Sequence, residues 1–292
     1  MTSAETTDRD ASHVYGTGLL RTAIRPRPDG GWLWSREPGP QAPHAFTTVP
    51  PALAALIRGL GHGGPYHLVP GREEGTKRHY QVTGNESLAI RLLRDGPTAQ
   101  AEAALRGVGT LLGRLHGLTP HSSVPPRRPA GLGRLTRWLS DEAEGGPARK
   151  LLRTSLGELR WGILDAWCSE VAADTRGVLS HGSPSLGATV MCATGAELLT
   201  GEDLCLAPWY VDLGWVAGEL VELAWRQGGT HSRWQALLTA LYAGYGCDLG
   251  TRWNRAAALR SALHLHDFSA YVAWHPQEVQ RYAGFLTFLI DL

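Results

Sequence analysis

The chain has 292 residues, 28 basic and 27 acidic side chains and a formal net charge of +1, a length that buries a sizeable core in one large or two modest domains without disulfide support. With 43% hydrophobic and 19% charged residues it reads as a soluble globular protein, and near-zero charge argues against a polyelectrolyte that binds nucleic acid. Cys168, Cys192, Cys205 and Cys247 lack C-x-x-C spacing, which argues against a zinc site or a disulfide framework, and no apolar stretch approaches the roughly 20 residues of a membrane span.

The opening MTSAETTDRDASH has neither the basic cluster nor the apolar stretch of a signal peptide, so a cytoplasmic protein is expected. Residues 18–25 and 32–34 read as two short strands around a Pro-Asp-Gly-Gly turn. Residues 51–60 form a short helix that starts with proline and runs into glycines. Three further stretches, 66–69, 78–82 and 87–93, are separated by PGREEGT and TGNE and predict a small antiparallel sheet.

Past Pro97 the pattern turns helical: residues 100–116, then a proline-rich loop, then a long helix over 148–173. In that helix Leu156, Leu159, Ile163, Trp167 and Val171 recur three or four apart as a core-facing stripe. Apolar runs at 177–179 and 189–191 flank a tight loop, and helices follow at about 208–227, 231–246, 252–266 and 276–290. The expected organisation is α+β: a β-rich N-lobe over residues 1–95 and a larger helical C-lobe over 96–292.

Three stretches resemble the aminoglycoside phosphotransferase-like kinases, a branch of the protein-kinase-like fold. Residues 78–91 resemble the family's N-lobe strands, Leu111-Leu-Gly-Arg-Leu-His116 its L-G-x-L-H helix, and the segment from Val178 to Val190 its catalytic loop H-G-D-x-x-x-x-N. The resemblance implies a two-lobe kinase-like fold. It also implies positions for chemistry: an Asp that orients the acceptor hydroxyl, an Asn and an Asp that hold Mg²⁺, and a third-strand cation that holds the phosphates of ATP. Here Ser183, Ala188 and Thr200 stand at the first three positions, and Arg91 at the fourth. A serine hydroxyl is no base near neutral pH, and alanine offers a hard metal no oxygen. His181, Gly182 and Gly187 are expected to retain the loop's shape, and Asp212 to cap the next helix.

Between Arg91 and the L-G-x-L-H helix too few residues remain for the family's further strand pair and its adenine-gripping hinge, which predicts a missing or rebuilt hinge. Weaker cofactor-site candidates are Arg91 paired with Glu102, and Glu202 or Asp203 recruited to a rebuilt metal site. The nucleophile elbow G-x-S-x-G is not met around Ser183 and Ser185, and His264-Leu-His266-Asp267 puts its histidines on different helix faces. No metal site is expected. Between residues 127 and 160, Arg127, Arg128, Arg134, Arg137, Arg149, Lys150, Arg153 and Arg160 outnumber four acidic residues. With Trp138 they suggest a face for an acidic peptide or protein partner.

The expectation is a pseudokinase: a non-catalytic scaffold or activator that binds a peptide or protein and needs no cofactor. By family association the partner is a precursor peptide, kinase or lyase in ribosomal-peptide natural product biosynthesis. The alternative is a working phosphotransferase on a small molecule or on peptide Ser/Thr, with Mg-ATP held by a rebuilt site. Neither nucleic acid nor membrane is expected as a partner.

Overall fold

The computed structural model describes residues 13–61, 64–119, 128–140 and 146–292. Five strands, β1 (His13–Gly16), β2 (Leu20–Pro26), β3 (Trp32–Pro38), β5 (Arg72–Glu74) and β6 (Lys77–Val82), make one antiparallel sheet in the order β1-β2-β3-β6-β5. The expected hairpin is β2 and β3, closed by its Gly-rich turn. On β3 every second side chain faces inward, so Trp34 and Arg36 share the buried face with Ile24 of β2 and Tyr80 of β6. Helix α1 (Pro51–Gly59) lies between β3 and the strand β4 (Tyr66–Val69). Strand β4 does not join this sheet as expected. It pairs in parallel with β9 (Ala196–Leu199), which also pairs with β8 (Thr189–Met191), and thus ties the N-terminal part to the helical lobe.

The expected strand over 87–93 is instead α2 (Leu88–Asp95). Leu88, Ile90 and Leu92 alternate as a strand would, but Ser87 Oγ accepts from Ile90 N–H and caps a helix in which Leu88 and Leu92, four apart, are buried while Ile90 is exposed. Consequently the third strand of the sheet is β3. The strand pair expected after Arg91 precedes it as β5 and β6, and residues 83–87 form the connection into the helical lobe.

The helical lobe comprises α3 (Ala99–His116), α4 (Ala130–Ser140), α5 (Gly146–Ala173), α6 (Trp209–Gln227), α7 (His231–Tyr245), α8 (Trp253–Tyr271) and α9 (Pro276–Asp291), with a short pair β7 (Val178–Ser180) and β10 (Cys205–Ala207) beside the catalytic-type loop. Helix α5 breaks at Gly157, whose φ of 75° no other residue type adopts readily. Of the expected stripe, Leu156 is core and Ile163, Trp167 and Val171 pack against it, but Leu159, just past the break, is 79% exposed; Leu152, Trp161, Leu164 and Cys168 complete the buried face. One core runs from the sheet through α3, β8, β9, α6 and α7, and a second joins α4, α5, α8 and α9. Among the described residues no helix is long and apolar enough to cross a membrane.

Candidate functional site

Between the sheet and the helical lobe lies a cleft of about 820 Å³. Tyr15, Leu20, Phe46, Leu93 and Phe268 contribute apolar wall, and the loop after β7 contributes His181, Ser183, Ser185 and Leu186.

That loop is held from below by one carboxylate. Asp212, 0% exposed in the first turn of α6, accepts from the backbone N–H of His181 at 2.7 Å and of Gly182 at 2.9 Å, and contacts His116 Nε2 at 3.0 Å. His116, the last residue of the L-G-x-L-H stretch, in turn meets the Tyr245 hydroxyl at 2.8 Å. Burial pushes the Asp212 carboxyl up, but the hydrogen bonds from His116 and from the His181 backbone N–H outweigh it and hold the group below its usual range. Asp212 is therefore a clamp on the loop and not the expected helix cap; Pro208 occupies the cap position.

Gly182 has φ 88°, and a Cβ there would lie 2.0 Å from the carbonyl oxygen of Asp203, so this glycine is required by the turn. Gly187 is not: a Cβ would meet only Ser185 Oγ at 3.7 Å. His181 is 2% exposed, and burial pulls its imidazole below its ordinary value. The neutral ring donates Nε2–H to Leu199 O at 2.8 Å.

Of the three positions expected to have lost metal chemistry, only Ser183 lines the cleft. Ala188 is buried, and the buried Thr200 turns its hydroxyl back to donate to Leu198 O at 2.9 Å. Glu202 and Asp203 are both engaged. Glu202 forms an ion pair with Arg36 at 3.0 Å and accepts the Tyr80 hydroxyl at 2.7 Å. Asp203 accepts Ala130 N–H at 2.9 Å at the start of α4. Among the described residues, no cluster of three or more His, Cys, Asp or Glu is placed to hold a metal.

Arg91 is displaced from its expected role: on α2 it pairs with Glu86 at 2.7 Å and with Gln100 at 3.1 Å, not with Glu102, whose partner is Arg106. The cation that the third strand presents to the cleft is Arg36. Sequence reasoning misses it because the second strand of the hairpin is ended at residue 34, whereas β3 runs on through Arg36. The period-2 placement of Trp34 and Arg36 was the available signal.

The connection 83–87 packs directly against β8. Thr83 N–H donates to Glu197 Oε2 at 2.7 Å, the Trp34 indole N–H donates to Gly84 O at 2.9 Å, and Met191 N–H donates to Glu86 O at 2.9 Å. A Cβ on Gly84 would lie 2.0 Å from Met191 O, so no layer fits between connection and strand. At the opposite end the β1–β2 turn is latched to the helical lobe, with Gly18 N–H donating to Tyr271 O at 2.8 Å.

Arg134, Arg149 and Trp138 of the expected Arg-rich face turn inward. Arg134 is buried against Asp267 at 2.6 Å, and Arg149 is buried and donates to the carbonyls of Trp138 and Leu139 at 2.7 and 2.8 Å. Trp138 is itself core. Arg128 and Lys150 are exposed, Arg137 is half-buried, Arg153 pairs with Glu158 and Arg160 with Asp291, while Arg127 lies outside the described residues. Along α8, His264 meets Glu222 and His266 meets Asp267, on the separate faces that an i, i+2 spacing dictates.

No family model and no curated protein matches the chain. Solved structures do. Amicoumacin kinase hAmiN aligns with a TM-score of 0.59 at 10% identity, covering 96% of this chain and 88% of that one. A choline/ethanolamine kinase family protein from Mesorhizobium loti gives 0.52 at 15% identity over 98% and 90% of the two chains. Aminoglycoside phosphotransferase APH(3'')-Id from Streptomyces rimosus gives 0.50 at 17% identity over 89% and 93%. The fold is the two-lobe protein-kinase-like fold of the aminoglycoside phosphotransferases.

Proposed function

We propose that this chain is a pseudokinase, a protein that keeps the kinase-like fold but binds a peptide or protein partner in its cleft and transfers no phosphate. The observation that carries the reading is the closed connection 83–87. In the kinase-like fold this segment grips adenine, and here the N–H of Thr83 and the carbonyls of Gly84 and Glu86 are bonded to Glu197, Trp34 and Met191. A base could reach them only by displacing a buried indole and a strand.

The remaining residues support the same reading. Phosphoryl transfer depends on positioning and charge stabilisation around a metal-bound phosphate. Ser183, Ala188 and Thr200 supply no carboxylate for that metal, and the two nearby acids, Glu202 and Asp203, are taken by Arg36, Tyr80 and Ala130. The turn between β1 and β2, which in protein kinases covers the phosphates, spends the Gly18 N–H on Tyr271. The residues present do not fit Mg-ATP.

Calorimetric titration with Mg-ATP, paired with a thermal melt, tests the reading. A competent nucleotide site would add about 2.7 kcal/mol of stability at 100 times its Kd; the expected result is no heat of binding and an unchanged melt. Micromolar binding with transfer of the γ-phosphate to any acceptor would overturn it.

A further inference from the structure

On the cleft side of α8 stands a histidine held from behind by a buried carboxylate. His264 lines the cleft, and its Nδ1 meets Oε1 of Glu222 on α6. The Tyr282 hydroxyl of α9 donates to the same oxygen and lies 3.3 Å from Nδ1. Glu222 is buried. Burial pushes its carboxyl up, but the hydrogen bond from His264, the charge of Arg260 and the bond from Tyr282 outweigh it and hold the group below its ordinary value.

A carboxylate facing Nδ1 requires a hydrogen on that nitrogen, so the neutral ring carries its lone pair on Nε2. Nε2 has no partner among the described residues and is not buried, and the His264 side chain is 41% exposed. The ring is therefore fixed in one tautomer with its basic nitrogen open.

Arg226, one turn after Glu222 on α6, donates through Nη1 to the Tyr282 hydroxyl at 3.2 Å and to Glu278 at 3.4 Å. Its Nε and Nη2 have no partner among the described residues, and its side chain lines the cleft at 38% exposure. Base and guanidinium thus flank one hydroxyl. Leu223, beside Glu222, and Phe268, one turn after His264, add apolar cleft wall next to them. By contrast Arg36, Arg134 and Arg260 are tied to Glu202, Asp267 and Glu219.

A base oriented by a carboxylate, with a cation beside it to meet a developing negative charge, is the machinery of hydrolysis without metal or nucleotide. A carboxylic ester needs no more than this set, because an alkoxide leaves more readily than an amine. Nε2 takes a proton from water as the water oxygen bonds to the acyl carbon. Arg226 donates to the oxyanion so formed. The oxyanion collapses, the bond from the acyl carbon to the alcohol oxygen breaks, and that oxygen takes the proton back from Nε2, leaving acid and alcohol.

Beyond the pseudokinase reading, we propose that the cleft hydrolyses carboxylic esters with an apolar acyl chain, with His264 as general base, Glu222 as its positioning residue and Arg226 as donor to the oxyanion.

The test follows release of p-nitrophenol from p-nitrophenyl butyrate by the full chain in EDTA. Saturable hydrolysis is expected. His264→Ala should lower kcat/KM about 100-fold, and added imidazole should restore turnover to that variant, as it would not if the ring were merely structural. Arg226→Gln should lower kcat/KM at least about tenfold. Glu222→Gln should lower kcat at least about tenfold with KM unchanged. Hydrolysis that does not saturate, an unchanged rate in His264→Ala or Arg226→Gln, a loss in His264→Ala that imidazole does not restore, or a Glu222→Gln variant that changes KM alone overturns the inference. No arm contains Mg-ATP, so the pseudokinase reading stands or falls separately, on its own titration.

Discussion

Replacing Asp212 by alanine removes the acceptor of three buried donors at once: the N–H groups of His181 and Gly182, at 2.7 and 2.9 Å, and His116 Nε2, at 3.0 Å. A buried donor stranded without an acceptor costs about 1–3 kcal/mol, and bonds to a carboxylate lie at the upper end. Partial relaxation of the loop offsets some of this. The expected loss is about 3–5 kcal/mol, in line with breaking other buried charged pairs, and a large part of a total stability of about 5–15 kcal/mol. Asp212→Asn keeps one oxygen and should lose about half as much.

Urea unfolding followed by tryptophan fluorescence measures the difference as a shift of midpoint at constant slope. The sign with pH is also determined. A carboxyl held below its usual value contributes stability that is full above the unfolded pKa, about 3.9, and that is lost as pH falls through the lower folded value. The gap between wild type and Asp212→Ala should therefore narrow below about pH 4. A difference under about 1 kcal/mol at pH 7, or a gap that widens on acidification, would refute the clamp.

Three further expectations follow from the site. Trp34→Phe keeps a ring but strands Gly84 O, and a thermal melt should report a loss of about 1–3 kcal/mol; an unchanged melt would mean the indole bond holds nothing. Restoring carboxylate and amide ligands together, as Ser183→Asp, Ala188→Asn and Thr200→Asp, should still give no calorimetric Mg-ATP binding, since Trp34 and Gly18 remain in place; micromolar binding by a folded triple variant would show that the connection is not closed. Burial, with the charge of Glu197, pushes the Cys192 thiol up to about 12, so about one molecule in ten thousand carries the thiolate at pH 8. Iodoacetamide mapping at pH 8 should leave Cys192 nearly unlabelled, and rapid labelling would contradict the burial.

Helices α1, α3 and α6 to α9 were legible because apolar residues at spacings of three and four, with proline or glycine near the ends, leave one consistent reading. The β2–β3 hairpin was legible from its turn, and the loop from His181 to Gly187 from its match to a known catalytic loop. Residues 87–93 were not, since seven residues with alternating leucine and isoleucine satisfy both periods, and only the cap at Ser87 and the burial of Leu88 and Leu92 decide for a helix. That misreading placed Arg91 on a strand, whereas it stands on α2 and pairs with Glu86. The Arg-rich stretch misled for a related reason: composition counts charges, and burial decides which of them face solvent. Arg134 and Arg149 carry their charge into the interior because Asp267 and two helix-end carbonyls meet them there.

The sequence by itself determined α1, α3 and α5 to α9, the β-rich beginning, the loop with Ser183 and Ala188, and the resemblance to a kinase fold, all of which rest on local spacing and residue chemistry. Only the tertiary structure decided that Trp34 reaches Gly84, 50 residues away, that Asp212 clamps a loop 30 residues earlier, and that Arg36 pairs with Glu202 and Arg134 with Asp267 beside the cleft. Those are contacts between distant segments, and their partners are chosen by which faces the core brings together, a choice that no local pattern encodes.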